Sequence, residues 1–428
     1  MSFARFRVIV LCVGKMPTRI TGKGEMSRRK AYIYIDATRY VCRRYKRYTS
    51  MNSLEKLSNA NVLVDAFKKA SAGSIWKSSV QKYEINLLRN IRKTQTELLN
   101  GSYQQGDFLE FELNERGHNR RIKALGIADR VVQRALCDNI LMPELEKYMV
   151  YDNGASQKNK GVDFCRRRLE THLRKYYRRH GSDGYFLHVD FRKFFDNIRH
   201  DELLKSFGEK LDGDIMPLLD GMIRSFRVDI SYTDEDLYNK VFNSMEYAKI
   251  PHELKTGKRY MAKSMGIGSQ ISQVAGVFFP TRVDTYCKVV RGCKYYGRYM
   301  DDIYIIHHDK EVLRDILCGI REQSAELGLF INEKKTQIFK LRHGFTFLKI
   351  KYNLTETGKI IKRPSRDNIT RQRRKMKKFK HLVDEGRMSL DDARNETKSW
   401  LGANEKLNAY RTCQNIRTLF RQLFGEDV

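Results

Sequence analysis

The spacing of apolar residues in the first part of the chain predicts helices and one hairpin. Between residues 53 and 100, apolar side chains recur every three or four positions, which is typical of amphipathic helices packed on a core. Residues 108–113 alternate between apolar and polar side chains. After a turn, residues 120–127 form a second extended segment, and the two segments indicate a hairpin. A further helix is expected over 129–141, with Asp129 at its N-cap.

From residue 184 onward the pattern mixes strands with helices. Short apolar runs predict strands at 185–189 and on both sides of residue 300, where a tight turn joins the two strands. The same rules predict helices over 200–207, 272–283 and 312–327, strands near 336–339 and 345–352, and a helical region from residue 367. This order predicts an α+β fold in which helices stack on one face of an antiparallel sheet.

The net charge of the chain predicts a polyanionic partner. The 428 residues contain 82 Lys plus Arg against 51 Asp plus Glu, a formal net charge of +31. An excess of this size is typical of proteins that bind nucleic acid. No apolar run approaches the roughly 20 residues that would span a bilayer, so we expect no membrane association.

Residues 1–50 form a separate basic extension. Their 13 Lys or Arg residues are interleaved near the end with Tyr40, Tyr45 and Tyr48. Cations and aromatic rings in this arrangement suit a nucleic-acid-binding arm. The alternative is a poorly ordered leader that precedes a different, helical stretch at Met51.

The cysteines point to a reducing compartment. The chain has eight, and none of them forms a Cys-x-x-Cys pair of the kind that zinc and redox sites use. A disulfide framework is not expected in a chain of this length without a secretory signal. We therefore predict a cytoplasmic protein.

Two acidic positions carry the strongest chemical signal. Asp301 and Asp302 lie at the tip of the predicted hairpin between apolar strands, and Asp190 ends the strand 185–189. Each position also has a structural explanation, an exposed hairpin turn for Asp301 and Asp302 and a helix cap for Asp190. If the strands are neighbours, three hard oxygen donors converge and suit two Mg²⁺ ions, with Mn²⁺ also possible.

The sequence around these acids resembles the palm of a reverse transcriptase, and bacterial members in particular. Further motifs of the family follow in order along residues 115–352. They are RI at 121–122 with DRVVQ at 129–133, SQK at 156–158, VDFRKFFD at 189–196, GIGSQ at 266–270 (motif B, which continues to Gln273), YMDD at 299–302, NEKKT at 332–336 and FLK at 347–349 (motif E). The resemblance implies a right-hand polymerase, with an N-terminal and fingers region at 51–183, a palm at 184–352 and a basic helical thumb at 353–428.

The resemblance also implies roles for single residues. Asp190 and Asp301 would bind both metal ions, with Asp302 as a weaker contributor and Phe191 in the same site. Lys335 would protonate the leaving pyrophosphate, although a solvated surface lysine is an equally good explanation. The residues implied in nucleotide binding are Arg121 and Lys123 at the triphosphate, Phe195 under the sugar, and Ile267, Gly268 and Gln273 in motif B. Phe195 could instead be a core aromatic.

The C-terminal region offers a second nucleic-acid contact. Seven cations lie in ten residues of a predicted helix, and we expect Arg371, Arg374, Lys375 and Lys378 among them to bind the nucleic-acid backbone. A solvated basic helix is the alternative.

Departures from the family pattern bear on the biological role. Most members of the family have Gln where this chain has Ile267, and an apolar residue at this position resembles the diversity-generating retroelements. In motif E, Lys349 replaces a glycine. Retrons, intron-derived enzymes and phage-defence enzymes are similar in other respects. The expected partners are a dedicated non-coding RNA template, the DNA product and dNTPs, and an oligomer is possible. The alternative function is a catalytically inactive RNA-binding scaffold.

Overall fold

A computed structural model describes residues 51–115, 118–232 and 242–428 of the chain. The basic extension predicted at 1–50 lies outside the described residues. Within the described part, no helix combines the length and the apolar character needed to cross a bilayer.

The N-terminal part of the described chain is helical around one hairpin. Its apolar side chains share a core with one face of the central sheet described below. The elements are α1 (Ser53–Leu57), α2 (Ala60–Ser71), α3 (Ser78–Ile85), α4 (Leu87–Leu99), β1 (Leu109–Glu115), β2 (His118–Ala124), α5 (Ile127–Leu136), α6 (Met142–Leu145) and α7 (Val162–His180).

The next part alternates between strands and helices, as the apolar pattern predicts. It contains β3 (Tyr185–Val189), β4 (Phe191–Arg192), α8 (Phe194–Asn197), α9 (His200–Gly208), α10 (Met216–Arg224), β5 (Val228–Asp229), α11 (Ser244–Ala248), β6 (Tyr260–Met261), α12 (Gln270–Phe278), α13 (Thr281–Thr285), β7 (Tyr296–Tyr299), β8 (Asp302–His307), α14 (Lys310–Glu326), β9 (Phe330–Ile331) and β10 (Gln337–Lys340).

The C-terminal part is a small sheet followed by three long helices. The elements are β11 (Phe345–Phe347), β12 (Ile350–Leu354), β13 (Ile360–Pro364), α15 (Arg366–Asp384), α16 (Leu390–Glu405) and α17 (Tyr410–Phe424). The helices bury their apolar faces against one another, around Met376, Leu401 and Ile416. The boundary predicted at 352/353 falls inside β12, and the helical part begins at Arg366.

The central sheet has the antiparallel strand order β10-β3-β8-β7. Because side chains alternate along a strand, each face of the sheet has its own core. Leu187 and Ile305 join the core that includes α12 and α14, the helical face that the sequence predicts. Phe186 and Tyr304 join the opposite core, which α7 and the sheet β11–β13 cover.

Three elements differ from the sequence-based expectation. The helix expected at 129 begins at Ile127 after the N-cap Gly126, so Asp129 lies in the first turn and accepts a hydrogen bond from the Tyr103 hydroxyl at 2.7 Å. The helix expected over 272–283 is interrupted at Pro280, which cannot donate a backbone hydrogen bond. The single strand expected over 345–352 is the hairpin β11–β12, because Leu348 and Lys349 turn the chain with φ of 44° and 67°.

Candidate active site

Two neighbouring strands carry acidic residues to the same end of the central sheet. Val189 of β3 lies opposite Ile303 of β8, so Asp190 leaves the sheet beside Asp302. Asp301 lies in the tight turn between β7 and β8, where Met300 has a φ of 54°. The structure therefore brings together the three palm carboxylates, Asp190, Asp301 and Asp302, as the strand pattern predicts.

The three palm carboxylates repel one another electrostatically. Burial raises the pKa of Asp301, and the negative charges of Asp302 and Asp190 raise it further, to about 7. A carboxylate that shares its surroundings with two others holds its proton more tightly, since a second negative charge nearby disfavours ionisation. This end of the sheet therefore has an excess of negative charge that a cation would relieve.

The loop before β10 surrounds Asp190 with hydrogen bonds. Its carboxylate accepts from Asn332 Nδ2 at 2.9 Å and from Lys335 Nζ at 3.1 Å. Its carbonyl accepts from the Asn332 N–H at 2.8 Å, and its own N–H donates to Thr336 Oγ1 at 3.3 Å. Lys335 thus contacts the palm acid while 64% of its side chain remains exposed, and both oxygens of Asp190 have partners.

Asp302 has a histidine partner on the adjacent strand. His188 Nε2 lies 3.0 Å from Asp302 Oδ1. Burial alone would lower the pKa of His188, but this hydrogen bond and the charges of Asp302 and Asp190 outweigh burial and raise it. His188 therefore orients the Asp302 carboxylate through this hydrogen bond.

The chemistry of the three palm carboxylates fits a hard divalent cation, since all their donors are carboxylate oxygens. Their present geometry is not that of a closed ligand group. Among the described residues, no three His, Cys, Asp or Glu side chains are placed to hold a metal ion together. Two of the three carboxylates are hydrogen-bonded instead to Asn332, Lys335 and His188.

A buried ion pair anchors the turn that carries Asp301. Arg298 and Asp284 are both fully buried, and their side chains approach to 2.6 and 2.7 Å. Arg298 also donates to the Met300 carbonyl at 3.0 Å and to the Val277 carbonyl at 2.8 Å. The guanidinium group thus ties the β7–β8 turn to the end of α12.

The two cations expected at the triphosphate lie side by side on β2. Arg121 forms an ion pair with Glu110 across the β1–β2 hairpin and lies over the ring of Tyr247. Lys123 Nζ lies 3.5 Å from the same glutamate. Burial lowers the pKa of Lys123 against the opposing effect of Glu110. Both cations therefore already have an acidic partner.

The motif B loop rests on this hairpin. The Lys123 N–H donates to the Ile267 carbonyl at 2.9 Å, and Ile267 forms a parallel bridge with Ile122. Gly268 has a φ of 114°, and a Cβ there would lie 3.0 Å from Ile122 Cγ2 and 3.1 Å from the Lys123 carbonyl oxygen. The positive φ therefore favours glycine at 268, and the tight packing of the loop against β2 leaves little room for a side chain.

The remaining predicted residues are distributed around this centre. Phe195 is half-buried and packs closely against Gly276 of α12, so its ring is partly a core aromatic. The ring of Phe191 is buried, so only its backbone carbonyl could serve a metal ion. Gln273 is exposed and lines a cavity of about 230 Å³ with Gly268.

Part of the basic thumb helix faces the palm. Arg371 and Lys375 of α15 line a cavity of about 1110 Å³, the thumb-side cleft, together with Lys335 and His188. Arg374 and Lys378 are exposed on the same helix but do not line this cleft. The structure therefore brings two of the four predicted backbone contacts toward the palm.

Several residues at the site carry no expectation from the sequence. His188 precedes Asp190 by two positions on a strand, so alternation places both on one face. Arg298 is a charged residue in an apolar strand, which signals a buried partner. Asn332 lies within the NEKKT motif, but nothing local identifies Asp190 as its partner.

Comparison with known families decides the classification. Residues 113–352, more than half of the chain, match the family described as reverse transcriptase (RNA-dependent DNA polymerase). This chain belongs to the reverse transcriptase family. The antiparallel palm sheet and the helical thumb of this reverse transcriptase agree with the right-hand polymerase fold that the motifs imply. No curated protein matches the chain.

Two solved telomerase structures are distantly similar to this chain. The apo telomerase from Candida tropicalis, truncated from its C-terminal domain, is 12% identical with a TM-score of 0.43, over 60% of this chain and 55% of that one. The telomerase from Candida albicans in complex with a TWJ fragment of telomeric RNA is 12% identical with a TM-score of 0.45, over 76% and 56%. The reverse transcriptase thus spans little more than half the length of either telomerase.

Proposed function

We propose that this reverse transcriptase copies an RNA template into DNA by nucleotidyl transfer with two divalent metal ions. The observation that supports this proposal best is the meeting of Asp190, Asp301 and Asp302 at one end of β3 and β8. Burial and the charges of Asp302 and Asp190 raise the pKa of Asp301, and a cation bound at this end of the sheet would relieve the mutual repulsion of the three carboxylates.

Asp190 and Asp301 would hold the metal ions, with Asp302 and the backbone carbonyl of Phe191 as further donors. Mg²⁺ suits this all-oxygen set, and Mn²⁺ is an alternative. When bound, the two ions would activate the primer 3′-hydroxyl and neutralise the leaving pyrophosphate. For both oxygens of Asp190 to become available, its contacts with Asn332 and Lys335 must be exchanged.

The side chains around the three palm carboxylates have separate tasks in this proposal. Lys335 lies next to Asp190 and would donate a proton to the pyrophosphate oxygen. Arg121 and Lys123 would exchange Glu110 for the triphosphate, which offers them more negative charge than one carboxylate. Phe195 would exclude the 2′-hydroxyl of a ribonucleotide sterically.

The same proposal assigns the enzyme to a bacterial retroelement or antiphage defence system in the cytoplasm. Ile267 favours a retroelement of the diversity-generating kind, and the large basic surface outside the palm suits a dedicated non-coding RNA. In this assignment the thumb residues Arg371 and Lys375 hold the RNA–DNA duplex along the thumb-side cleft.

The test compares the wild type with the double variant Asp301→Ala, Asp302→Ala. Each protein is expressed with the native flanks of its gene, and the co-purified nucleic acid is sequenced. DNA complementary to one flanking RNA, present only with the wild type, is the expected result. Changes concentrated at template adenines would assign the enzyme to diversification, and faithful copies would assign it to a retron-like or defence role. If both proteins carry the same RNA and neither carries DNA, the chain is an RNA-binding scaffold and the proposal fails.

A further inference from the structure

A basic pocket lies on the palm outside the thumb-side cleft. It has a volume of about 740 Å³ and is lined by the face of α7 that follows Arg168 and by the segment that leads into β7. We call this the α7 pocket; its cations are Arg168, Lys175, Arg178, Arg179 and Lys294. It shares no lining residue with the thumb-side cleft, so the two cavities are distinct.

The helical spacing of these cations makes them one surface. Positions 168, 175, 178 and 179 follow one another at intervals of seven, three and one residue, so they fall along one side of α7. Lys294 joins them from the segment before β7. The pocket lining contains no Asp or Glu among the described residues.

The inner wall of the pocket is held in place by a buried acid. The side chain of Asp152 is only 4% exposed and binds Arg168 at 2.7 Å and Lys288 at 3.0 Å. Arg168 also contacts His172 Nε2 at 3.1 Å. Burial lowers the pKa of His172 to about 4, so this wall residue is neutral at physiological pH. Arg168 is thus positioned by the protein before any ligand arrives.

The rim of the pocket, by contrast, has uncompensated charge. Lys175, Arg178, Arg179 and Lys294 are exposed, and within the described residues none of them forms an ion pair. Two other arginines of the same helix, Arg166 and Arg174, each have an acidic partner. A fixed cation surrounded by free cations, with no acid among them, is a site for a ligand that carries several negative charges.

We propose that the α7 pocket binds the phosphate backbone of a structured RNA at a place separate from the copying cleft. The proposal rests on the proposed function, because a dedicated RNA must be held outside the part that is copied. Guanidinium groups match the oxygens of a phosphate in a bidentate manner, and a row of cations along a helix follows successive phosphates. Recognition through the backbone and shape is the usual mode for double-stranded RNA.

The test uses full-length protein whose cleft is first saturated with a primer–template ended by a dideoxynucleotide. A fluorescent blunt-ended RNA hairpin is then titrated onto the wild type and onto the triple variant Lys175→Ala, Arg178→Ala, Arg179→Ala. At about 150 mM salt the variant should bind the hairpin roughly tenfold more weakly, and its salt dependence should lose a slope of about 2 to 3. The variant Arg178→Lys, Arg179→Lys keeps the charge but loses the bidentate guanidinium contacts, so it should keep the salt dependence of the wild type and bind with an affinity between those of the wild type and the triple variant.

The matched control removes the same charge elsewhere. Lys82→Ala, Arg89→Ala, Lys205→Ala neutralises three exposed helical cations and should leave hairpin binding unchanged. Primer extension on a homopolymer template should proceed at the same rate in all these proteins. Equal hairpin affinity of wild type and triple variant would overturn the proposal, as would a wild type that binds no hairpin once its cleft is filled.

The experiment also distinguishes RNA from a membrane surface, and failure of the proposed function from failure of the α7 pocket proposal. A wild type that binds anionic phospholipid vesicles through these residues and no hairpin would replace RNA with a membrane surface and overturn the proposal. A wild type that fails to extend any primer refutes the proposed function, whereas normal extension without hairpin binding refutes only the α7 pocket.

Discussion

Two acidic side chains of the palm, Asp284 and Asp301, have opposite electrostatic surroundings. Asp284 is fully buried and receives both arms of the Arg298 guanidinium together with the Tyr296 hydroxyl. Asp301 instead faces two other carboxylates, with Lys335 as the cation that partly offsets them. The first arrangement holds the turn in place, and the second leaves charge available for a ligand. In this fold, the acid with a structural task has its charge neutralised by a buried cation, and the acid with a functional task does not.

Breaking the structural pair should have the largest effect. Arg298→Met leaves Asp284 buried without its cation and should lower the free energy of unfolding by about 3–5 kcal/mol. Chemical denaturation of the variant and the wild type measures this difference. The double variant Arg298→Met, Asp284→Leu should recover part of the loss, since no buried charge remains. A loss below about 1 kcal/mol in the single variant would show that the pair does not anchor the turn.

Removing the charge of Asp301 should raise the free energy of unfolding, whereas removing Arg298 lowers it. The pKa of Asp301 is raised to about 7, so the folded protein binds a proton that the unfolded chain releases near pH 4. Ionised Asp301 therefore costs folding free energy, a cost that grows from about pH 4 and is complete above about pH 7. Asp301→Asn should raise the metal-free stability by about 1–2 kcal/mol at pH 8 and change little at pH 4.

The control for this prediction is Asp65→Asn, which removes a charge from an exposed helix position. Its stability should follow that of the wild type at both pH values. Equal stability of Asp301→Asn and wild type at pH 8, by thermal unfolding without metal, would mean that the palm acids are already neutralised.

Removing the hydrogen bond between His188 and Asp302 should weaken metal binding. His188→Leu removes the hydrogen bond to Asp302 and should raise the Mg²⁺ concentration for half-maximal extension about tenfold, as expected when a group that orients a ligand is lost. His188→Gln can still donate a hydrogen bond and should recover part of this loss. The same Mg²⁺ requirement in all three proteins would show that His188 does not position Asp302.

The smallest expected effect is a shift in the pH profile. Because a metal ion must displace the proton of Asp301, the extension rate at limiting Mg²⁺ should rise as the pH increases through about 7. Saturating Mg²⁺ should move this midpoint toward lower pH by about one unit. Parallel profiles at the two Mg²⁺ concentrations would contradict the proton linkage.

The sequence predicts the strands and the meeting of their acids well, because both follow from local patterns. The apolar run before Asp190 and the two runs around residue 300 locate β3, β7 and β8, and antiparallel pairing brings their ends together. The motif also predicts glycine at 268, although the positive φ and the close contact with β2 that favour it are visible only in the structure.

The partners of these residues could not be predicted, because tertiary packing brings them together. Asn332 and Lys335 reach Asp190 across more than 140 residues, and Arg298 of β7 meets Asp284 of α13 through the packing of that helix against the strand. The turn at Leu348 and Lys349 lacks the Gly, Pro or Asn that usually marks such a conformation. Tertiary packing imposes these features, and no local pattern encodes them.

Helix α7 has 19 residues and is therefore about 28 Å long. Near its start, Arg166 donates to the Leu348 carbonyl in the β11–β12 turn, which borders the thumb-side cleft, and its last turns form the rim of the α7 pocket. Its apolar side chains are locked into the core of the sheet along this length. One continuous helix thus connects the border of the thumb-side cleft to the α7 pocket, and its length sets the spacing between the two basic cavities.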